Sequence, residues 1–190
     1  NASQDSSSLL GKIISIDKTT RKHKIVSLGH RNPQGLLYIE NLNLIINTEH
    51  GPKGGDEINI NFLDLNTIPN YGWDISSYGT EYSGKDPYKK SHEKFGFIEP
   101  FKNYTPAIGI SEITYVANIP ANEKKLFVSS LRAGSIYVIQ TNNQINKIIS
   151  EDRIFFPEQR IRDIEYDEVN NIFFLLFDPI PSIGILKLEK

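Results

Sequence analysis

The sequence lacks cysteine and methionine altogether and has one tryptophan and only five alanines in 190 residues. Without cysteine it cannot form a disulfide, a thiolate nucleophile, a zinc finger or an iron–sulfur cluster. Without methionine it does not start at an initiator codon, so we expect it to be a fragment of a longer protein; no charged-then-apolar signal segment follows Asn1. Scarce alanine disfavours helices.

The sequence also lacks an excess of charge of either sign and any long apolar run. Twenty-one basic residues against 23 acidic ones leave a net charge of −2, which disfavours nucleic acid and membrane surfaces as partners. No stretch is long and apolar enough to span a membrane. A hydrophobic content of 38% nevertheless suffices for a folded chain, and the length suits a single domain over residues 1–190.

Short runs rich in Ile, Val, Tyr and Phe, separated by Asn and Gly, predict an all-β fold of about a dozen strands. The turns at Asn122-Glu123, Ala133-Gly134, Asn142-Asn143 and Asn170-Asn171 favour antiparallel hairpins. The predicted strands are Lys12–Ile16, His23–Ser27, Gly35–Ile39, Leu44–Thr48, Glu57–Phe62, Ile113–Val116, Lys125–Ser129, Ser135–Gln140, Ile145–Ile149, Ile161–Tyr166, Ile172–Phe177 and Gly184–Leu188.

The region between residues 63 and 110 has no sustained periodicity but is dense in proline, glycine and aromatic residues. Because aromatic side chains are unfavourable in water at such density, we predict an ordered long loop. Two interpretations stay open: the rings form a binding surface, or they cap the end of a sheet. The aromatic residues are Tyr71, Trp73, Tyr78, Tyr82, Tyr88, Phe95, Phe97, Phe101 and Tyr104.

Two polar segments in the first half carry candidate chemistry. The turn at residues 29–35 contains Arg31, Asn32 and Gln34, whose guanidinium and amides can bind carboxylates or polarised carbonyls. The segment at residues 48–57 contains glycines that let main-chain oxygens approach a hard cation such as calcium. Taken alone, the pair Asp56-Glu57 is typical of a solvated strand edge, and His50 of a hydrogen-bonded structural histidine.

Two basic segments follow in the second half. Arg160 and Arg162 are two apart on a predicted strand and therefore project from one face, where they could bind an anion. The alternative is an ion-paired surface with Asp163, Glu165 and Asp167. Arg132 lies in a predicted hairpin turn. There is no Gly-rich phosphate loop, no nucleophile elbow and no paired-histidine helix, so hydrolase and nucleotide-binding functions lack a motif.

Taken together, these segments resemble the glucose/sorbosone dehydrogenase family, the soluble aldose dehydrogenases that use pyrroloquinoline quinone. The order of the motifs is the family's, and the resemblance covers nearly the whole chain. The motifs are SLLGKIISID at 8–17, GHRNPQGL at 29–36, TEHGPKGGDEIN at 48–59, NYGW at 70–73 and RIRDI at 160–164.

The resemblance implies a six-bladed β-propeller, of which this chain supplies about three four-stranded blades. It also implies an aldose substrate, a periplasmic or secreted location, and a quinone across the mouth of the central channel. Gly51 and Pro52 would offer main-chain oxygens to a calcium ion. The implied cofactor-binding residues are Arg31, Asn32, Gln34, Arg132, Arg160 and Arg162.

The family's proton-accepting histidine has no counterpart here, since none of His23, His30, His50 and His92 matches it. The resemblance therefore implies that the isolated chain is inactive. We expect it either to self-associate or to require a missing N-terminal half. The alternative is a non-catalytic, propeller-derived scaffold for binding or interaction.

Overall fold

The computed structural model describes residues 1–63, 66–83, 88–119, 123–156, 158–178 and 180–187. Within these ranges the regular structure is strand apart from two short 3₁₀ helices, Glu40–Leu42 and His92–Phe95. The strands are β1 Lys12–Ile16, β2 His23–Leu28, β3 Pro33–Ile39, β4 Leu44–Glu49, β5 Asp56–Phe62, β6 Lys102–Tyr104, β7 Ile110–Ile119, β8 Glu123–Ser130, β9 Ser135–Thr141, β10 Ile148–Phe155, β11 Arg160–Asp167, β12 Ile172–Asp178 and β13 Ser182–Lys187.

Strands that follow one another in the sequence also lie side by side. Their orders are β1-β2, β3-β4-β5-β6, β10-β9-β8-β7 and β11-β12-β13. Such antiparallel meanders are the layout of propeller blades, and two of the four sheets have the four strands that a blade needs. The all-β prediction is confirmed. In the part of the chain that is described, no helix is long and apolar enough to cross a membrane.

The chain divides into two compact units. The first comprises residues 1–33 and 38–107, and the second comprises residues 34–37 and 108–190. The sequence-based expectation of a single domain stays a prediction.

Period-two alternation explains how the second unit buries its core. On β12, Phe173 and Leu175 are buried while Phe174 and Leu176 point outward. The ring of Phe173 packs 4.5 Å from Phe127 and 4.8 Å from Tyr166, measured between centroids. The buried cluster consists of Val116, Phe127, Ile136, Ile161, Ile164, Phe173 and Leu175.

The predicted strand Ile145–Ile149 overlaps β10 only at its last two residues, so its bounds are wrong. Ile145 has a φ of 54° and lies in a turn, whereas β10 begins at Ile148 and continues to Phe155. The side-chain oxygen of Asn142 accepts hydrogen bonds from the backbone N–H groups of Asn146 and Lys147, which stabilises this turn. Gly84, Pro87, the predicted turn residue Asn122 and the predicted strand end Leu188 lie outside the described residues.

The aromatic segment between residues 63 and 110 contains the short strand β6, which its sequence pattern did not indicate. Tyr71 is fully buried there, and its hydroxyl donates to the carbonyl oxygen of Ile60 on β5. The ring of Tyr71 stacks on His30 at 4.9 Å. These contacts attach the segment to β5 and to the loop before β3, both of which carry polar motifs.

Candidate functional site

A solvent-open cleft in the first unit brings the two polar segments of the first half together. It is narrow, with a volume of about 10 Å³, room for about one water molecule. Its walls come from the loop before β3, the loop between β4 and β5, and the segment after β5. The lining residues are Arg31, Glu49, His50, Gly51, Pro52, Gly55, Glu57, Tyr71, Trp73, Ser76 and Ser77.

Hydrogen bonds connect the loop of Arg31 to the loop of Gly51. The backbone N–H of Arg31 donates to Glu49 Oε2 at 3.0 Å, and its guanidinium Nη1 donates to the carbonyl oxygen of His50, also at 3.0 Å. The N–H of His50 donates to the carbonyl oxygen of Asn32 at 3.1 Å. Three links between two short segments hold the guanidinium beside Gly51 and Pro52, so its position is set before any ligand arrives.

The loop around Gly51 is crowded with main-chain oxygens. A Cβ at position 51 would overlap the carbonyl oxygens of Gly54 and Gly55, and the Gly51 N–H donates to Asp56 Oδ1 at 3.1 Å. Hard oxygen donors of this kind suit calcium. Among the described residues, no group of three or more His, Asp or Glu side chains is arranged to hold a metal ion.

A buried polar cluster forms the floor of the cleft. Asn59 Nδ2 donates to Glu49 Oε1 at 2.9 Å and lies 3.4 Å from Glu57 Oε2. His30 Nδ1 lies 3.5 Å from Glu49 Oε2, and His92 Nε2 lies 3.5 Å from Glu57 Oε1. Neither of these two nitrogens has a hydrogen-bond partner among the residues described.

Burial raises the pKa of Glu57 well above its usual value, and the negative charge of Glu49 adds to the rise. Burial lowers the pKa of His92, whose Nδ1 donates to the carbonyl oxygen of Tyr71 at 2.9 Å. These shifts favour the neutral forms of Glu57 and His92. Keeping Glu57 neutral avoids placing two negative charges side by side in a buried site.

The sequence-based interpretation of Asp56-Glu57 as a solvated edge is wrong, because the two residues are only 1% and 5% exposed. The cross-strand register places Glu57 of β5 directly opposite Glu49 of β4. Glu49 and Glu57 lie at equal distances from the tight Gly51–Gly55 loop in the sequence, so formation of the hairpin pairs them. This equal spacing was the signal in the sequence.

We expect Glu57→Gln to stabilise the protein at alkaline pH. The folded protein holds the Glu57 proton more tightly than the unfolded chain, whose carboxyl titrates near 4.5. The contribution of this proton to stability is therefore fully present below about pH 4.5 and is lost as pH rises through the raised folded-state pKa. Each tenfold difference in proton affinity between the two states corresponds to about 1.4 kcal/mol.

Urea unfolding at pH 5 and pH 8 measures this effect. The free energy of unfolding should depend less on pH in Glu57→Gln than in the wild type. The exposed control Glu40→Gln should follow the wild type. An unchanged pH dependence for Glu57→Gln would contradict a raised pKa of Glu57 in the folded protein.

Arg132 and Arg160 line a second open cleft, which lies in the second unit and has a volume of about 390 Å³. The turn at Gly134 packs against the carbonyl oxygens of Phe156 and Gln159, which places the β8–β9 turn next to the start of β11. The other lining residues are Leu131, Ala133, Gly134, Phe155, Phe156, Glu158 and Gln159.

Both arginines of β11 are paired with one carboxylate. Arg162 Nη2 donates to Asp178 Oδ2 at 2.9 Å, and Arg160 Nε lies 3.5 Å from the same oxygen. These hydrogen bonds and charges lower the pKa of Asp178. The sequence-based alternative named three acids on or next to the same strand, but the partner comes from the end of β12, opposite Arg160 in the register.

The predicted site residues divide between the two units. Arg31, Asn32, Gly51 and Pro52 belong to the first unit, where the cleft and its hydrogen bonds bring them together. Gln34, which is exposed on β3, belongs with the three other predicted cofactor residues to the second unit. Those three residues are Arg132, Arg160 and Arg162.

The meandering antiparallel sheets are the layout of a β-propeller. Residues 1–179 match the family described as glucose/sorbosone dehydrogenase. The chain belongs to that family.

Curated relatives support the assignment. The aldose sugar dehydrogenase YliI of Escherichia coli is 33% identical over 153 residues, 78% of this chain and 40% of that protein. Quinoprotein glucose dehydrogenase B of Acinetobacter calcoaceticus is 26% identical over 215 residues, covering 84% of this chain and 44% of its own length. The uncharacterised protein slr1608 of Synechocystis is 31% identical over 187 residues, covering 90% of this chain and 44% of that protein. The chain thus spans less than half of these relatives.

Solved structures show the same fold. A crystal structure of a glucose dehydrogenase superposes with a TM-score of 0.82 at 26% identity, covering 99% of this chain and 57% of that one. The soluble aldose sugar dehydrogenase of E. coli, in its apo form, gives a TM-score of 0.79 at 27% identity, covering 97% of this chain and 56% of that one. The propeller prediction is confirmed.

Proposed function

We propose that this chain is part of a dehydrogenase that oxidises aldose sugars with pyrroloquinoline quinone and calcium. The observation that carries the proposal is the cleft in which the Arg31 guanidinium is bound to the His50 carbonyl oxygen next to Gly51 and Pro52. The named activities of the E. coli and Acinetobacter relatives support it.

The residues present fit the two absent groups. Gly51 and Pro52 would give calcium hard main-chain oxygens, and Arg31, Asn32 and Gln34 would give the quinone one guanidinium and two amides. When bound, the quinone would supply a hydride acceptor for the sugar, and calcium would make that acceptor more electrophilic. Arg31 would then stabilise negative charge that develops on the quinone oxygens.

The arginines of the second unit would neutralise the carboxylates of the quinone. Arg132 and Arg160 line one cleft, and Arg162 is bound to Asp178 on the adjacent strand. A guanidinium binds carboxylates through paired N–H donors. Binding would require Arg160 and Arg162 to share their donors between Asp178 and the ligand.

The buried histidines do not supply an obvious base for the sugar hydroxyl. His30 and His92 are only 1% exposed; His30 Nε2 is hydrogen-bonded to the hydroxyl of Ser27 on β2, and His92 Nδ1 donates to the carbonyl oxygen of Tyr71. Because none of the four histidines matches the family's proton-accepting histidine, we propose that the base comes from outside this chain and that the chain alone is inactive. A periplasmic or secreted location and association with a second copy or an N-terminal half belong to the same proposal.

Calcium-dependent quinone binding tests the proposal. In a titration followed by calorimetry, we expect Arg160→Ala and Arg162→Ala each to weaken binding by about tenfold or more, since a charge-assisted hydrogen bond contributes about 1.5–3 kcal/mol. The control Lys18→Ala removes the same charge from an exposed turn after β1 and should leave the affinity unchanged. Equal affinities for all four proteins would overturn the assignment of the arginines.

The shared ion pair with Asp178 favours a second candidate, a binding scaffold without redox chemistry, because both arginines are satisfied without a ligand. Absence of quinone binding in a chain that unfolds cooperatively would select this candidate. Saturable, calcium-dependent binding would exclude it.

A further inference from the structure

A groove in the first unit follows the hairpin of β1 and β2 and shares no lining residue with the cleft that contains Arg31. We call it the hairpin groove. It has an apolar section of about 310 Å³ and a polar section of about 390 Å³. The two sections meet at Ser15 and Lys24, which are opposite each other in the register of the hairpin. The polar section is lined by Ser15, Ile16, Asp17, Lys22, His23 and Lys24.

The apolar section has the size and the walls of a small-molecule site. Its volume is at the lower end of the range of about 300–1,000 Å³ that is usual for ligand pockets. Of its described lining residues only Lys24 is charged. Phe62 and Ile68 are 40% and 50% exposed, so their apolar surface is left uncovered. The main apolar walls are Ile25, Val26, Ile45, Phe62, Ile68 and Pro69.

Backbone hydrogen bonds hold these walls in place. The N–H of Leu28 on β2 donates to the carbonyl oxygen of Pro69 at 3.0 Å. The N–H of Leu63 donates to the carbonyl oxygen of Asn43, the residue before β4, at 3.1 Å. The segment after β5 is therefore attached to the strands on both sides of the apolar section. A pocket that is formed before its ligand arrives loses less free energy to ordering when it binds.

The hairpin turn between β1 and β2 is basic, although the whole chain has a net charge of −2. The side-chain Oδ1 of Asp17 accepts hydrogen bonds from the N–H groups of Thr19 and Thr20, at 3.0 and 2.6 Å, and from the Thr20 hydroxyl at 2.9 Å. These bonds lower the pKa of Asp17 and hold its carboxylate within the turn. The basic side chains of residues 17–24 are Lys18, Arg21, Lys22 and Lys24, against the single acid Asp17.

Two of these lysines are available to a ligand. Lys22 and Lys24 both line the polar section, and in the described part of the chain neither ammonium group forms an ion pair. The carboxylate of Asp17 is the acidic group in the same lining. Two ammonium groups against one carboxylate leave one excess positive charge, with His23 counted as neutral. The polar section therefore favours a headgroup that carries one negative charge.

A ligand that fills both sections needs an apolar chain and an anionic end. A small hydrophilic anion would leave the apolar walls exposed to water, whereas an uncharged lipid would remove water from the ammonium groups without pairing them. A phosphate monoester carries about −1.5 to −2 charges, more than the excess in the polar section. We propose that the hairpin groove binds a single-chain carboxylate of medium length, with the carboxylate at Lys22 and Lys24 and the chain against Phe62 and Ile68.

Calorimetric titration of the chain with sodium octanoate, at low ionic strength and without quinone or calcium, tests the site. We expect saturable binding of about one octanoate per chain, in the micromolar to millimolar range that a few kcal/mol supply. Acetate has the headgroup without the chain, and 1-octanol has the chain without the charge. Each should bind at least about tenfold more weakly than octanoate. Added salt should weaken octanoate binding, because it screens the exposed ammonium groups.

Matched variants locate the bound octanoate. We expect Lys24→Ala and Ile68→Asn each to raise the apparent Kd at least about fivefold, equivalent to about 1 kcal/mol. The controls are Lys147→Ala, in the exposed turn before β10, and Ile149→Asn, at a residue of β10 that is 58% exposed. Both controls should bind octanoate as the wild type does. Lys24 is exposed, so Lys24→Ala keeps the test valid if Ile68→Asn fails to fold.

Three results would overturn this site. They are the absence of saturable heat in a chain that unfolds cooperatively, equal affinities of the groove variants and their controls, and binding of 1-octanol as tight as that of octanoate. Tighter binding of octyl phosphate than of octanoate would overturn the assignment of a carboxylate. Because the titration contains neither quinone nor calcium, its outcome is independent of the proposed function.

Discussion

Gly51→Ala is expected to destabilise the first unit and to abolish calcium-dependent quinone binding. The new Cβ would overlap the carbonyl oxygens of Gly54 and Gly55, and backbone atoms cannot move aside as a flexible side chain can. Overpacking of this kind destabilises proteins by about 1–3 kcal/mol, and we place this case at the upper end of that range. Urea unfolding gives the free energy, and calorimetry with calcium and quinone gives the binding.

The matched control is Gly96→Ala. Gly96 has a φ of 80° and no atom within 4 Å of an added Cβ, so its substitution adds backbone strain of about 1–2 kcal/mol without overlap. It should keep the ligand affinity of the wild type. If Gly51→Ala also binds quinone with calcium as the wild type does, the main-chain cradle around Gly51 is not the calcium site.

Phe173→Ala is expected to destabilise the second unit by about 3–5 kcal/mol, the usual range for removal of a fully buried aromatic side chain. Phe173 is 0% exposed and its ring lies between those of Phe127 and Tyr166. The cavity would open beside Ile161, which lies between Arg160 and Arg162 on β11. Chemical denaturation followed by circular dichroism measures the loss.

Phe174→Ala provides the comparison on the same strand. Phe174 is 40% exposed on the opposite face of β12, so its truncation removes less buried area and should cost less than about 1.5 kcal/mol. Similar losses for the two variants would mean that β12 does not bury the face that carries Phe173.

Most of the fold follows from local patterns. Alternation on β12 and the Asn-rich turn before it are properties of neighbouring residues, so strand and hairpin could both be predicted there. Prediction was wrong at Ile145, where the side chain of Asn142 forms a turn in place of the expected strand. It missed β6 because three residues inside an irregular segment carry no periodic signal.

The candidate site was only partly predictable. Arg31, Gly51 and Pro52 could be named from the resemblance of their motifs, and the structure brings them to one cleft. The hydrogen bond between the guanidinium of Arg31 and the carbonyl oxygen of His50 could not be named, because it joins residues 19 positions apart through the geometry of two loops. The partner of Arg162, Asp178, was missed because it lies on the neighbouring strand.

The sequence by itself determined the strand character of the chain, its turns, its lack of thiol chemistry and the motifs that point to a family, since each depends on residue type and short spacing. Only the tertiary structure decided which acids are buried, which carboxylate pairs with the arginines and which aromatic residues line the cleft. Burial and pairing depend on cross-strand register and loop packing, which bring distant residues such as Glu49 and Glu57, or Arg31 and Trp73, into contact.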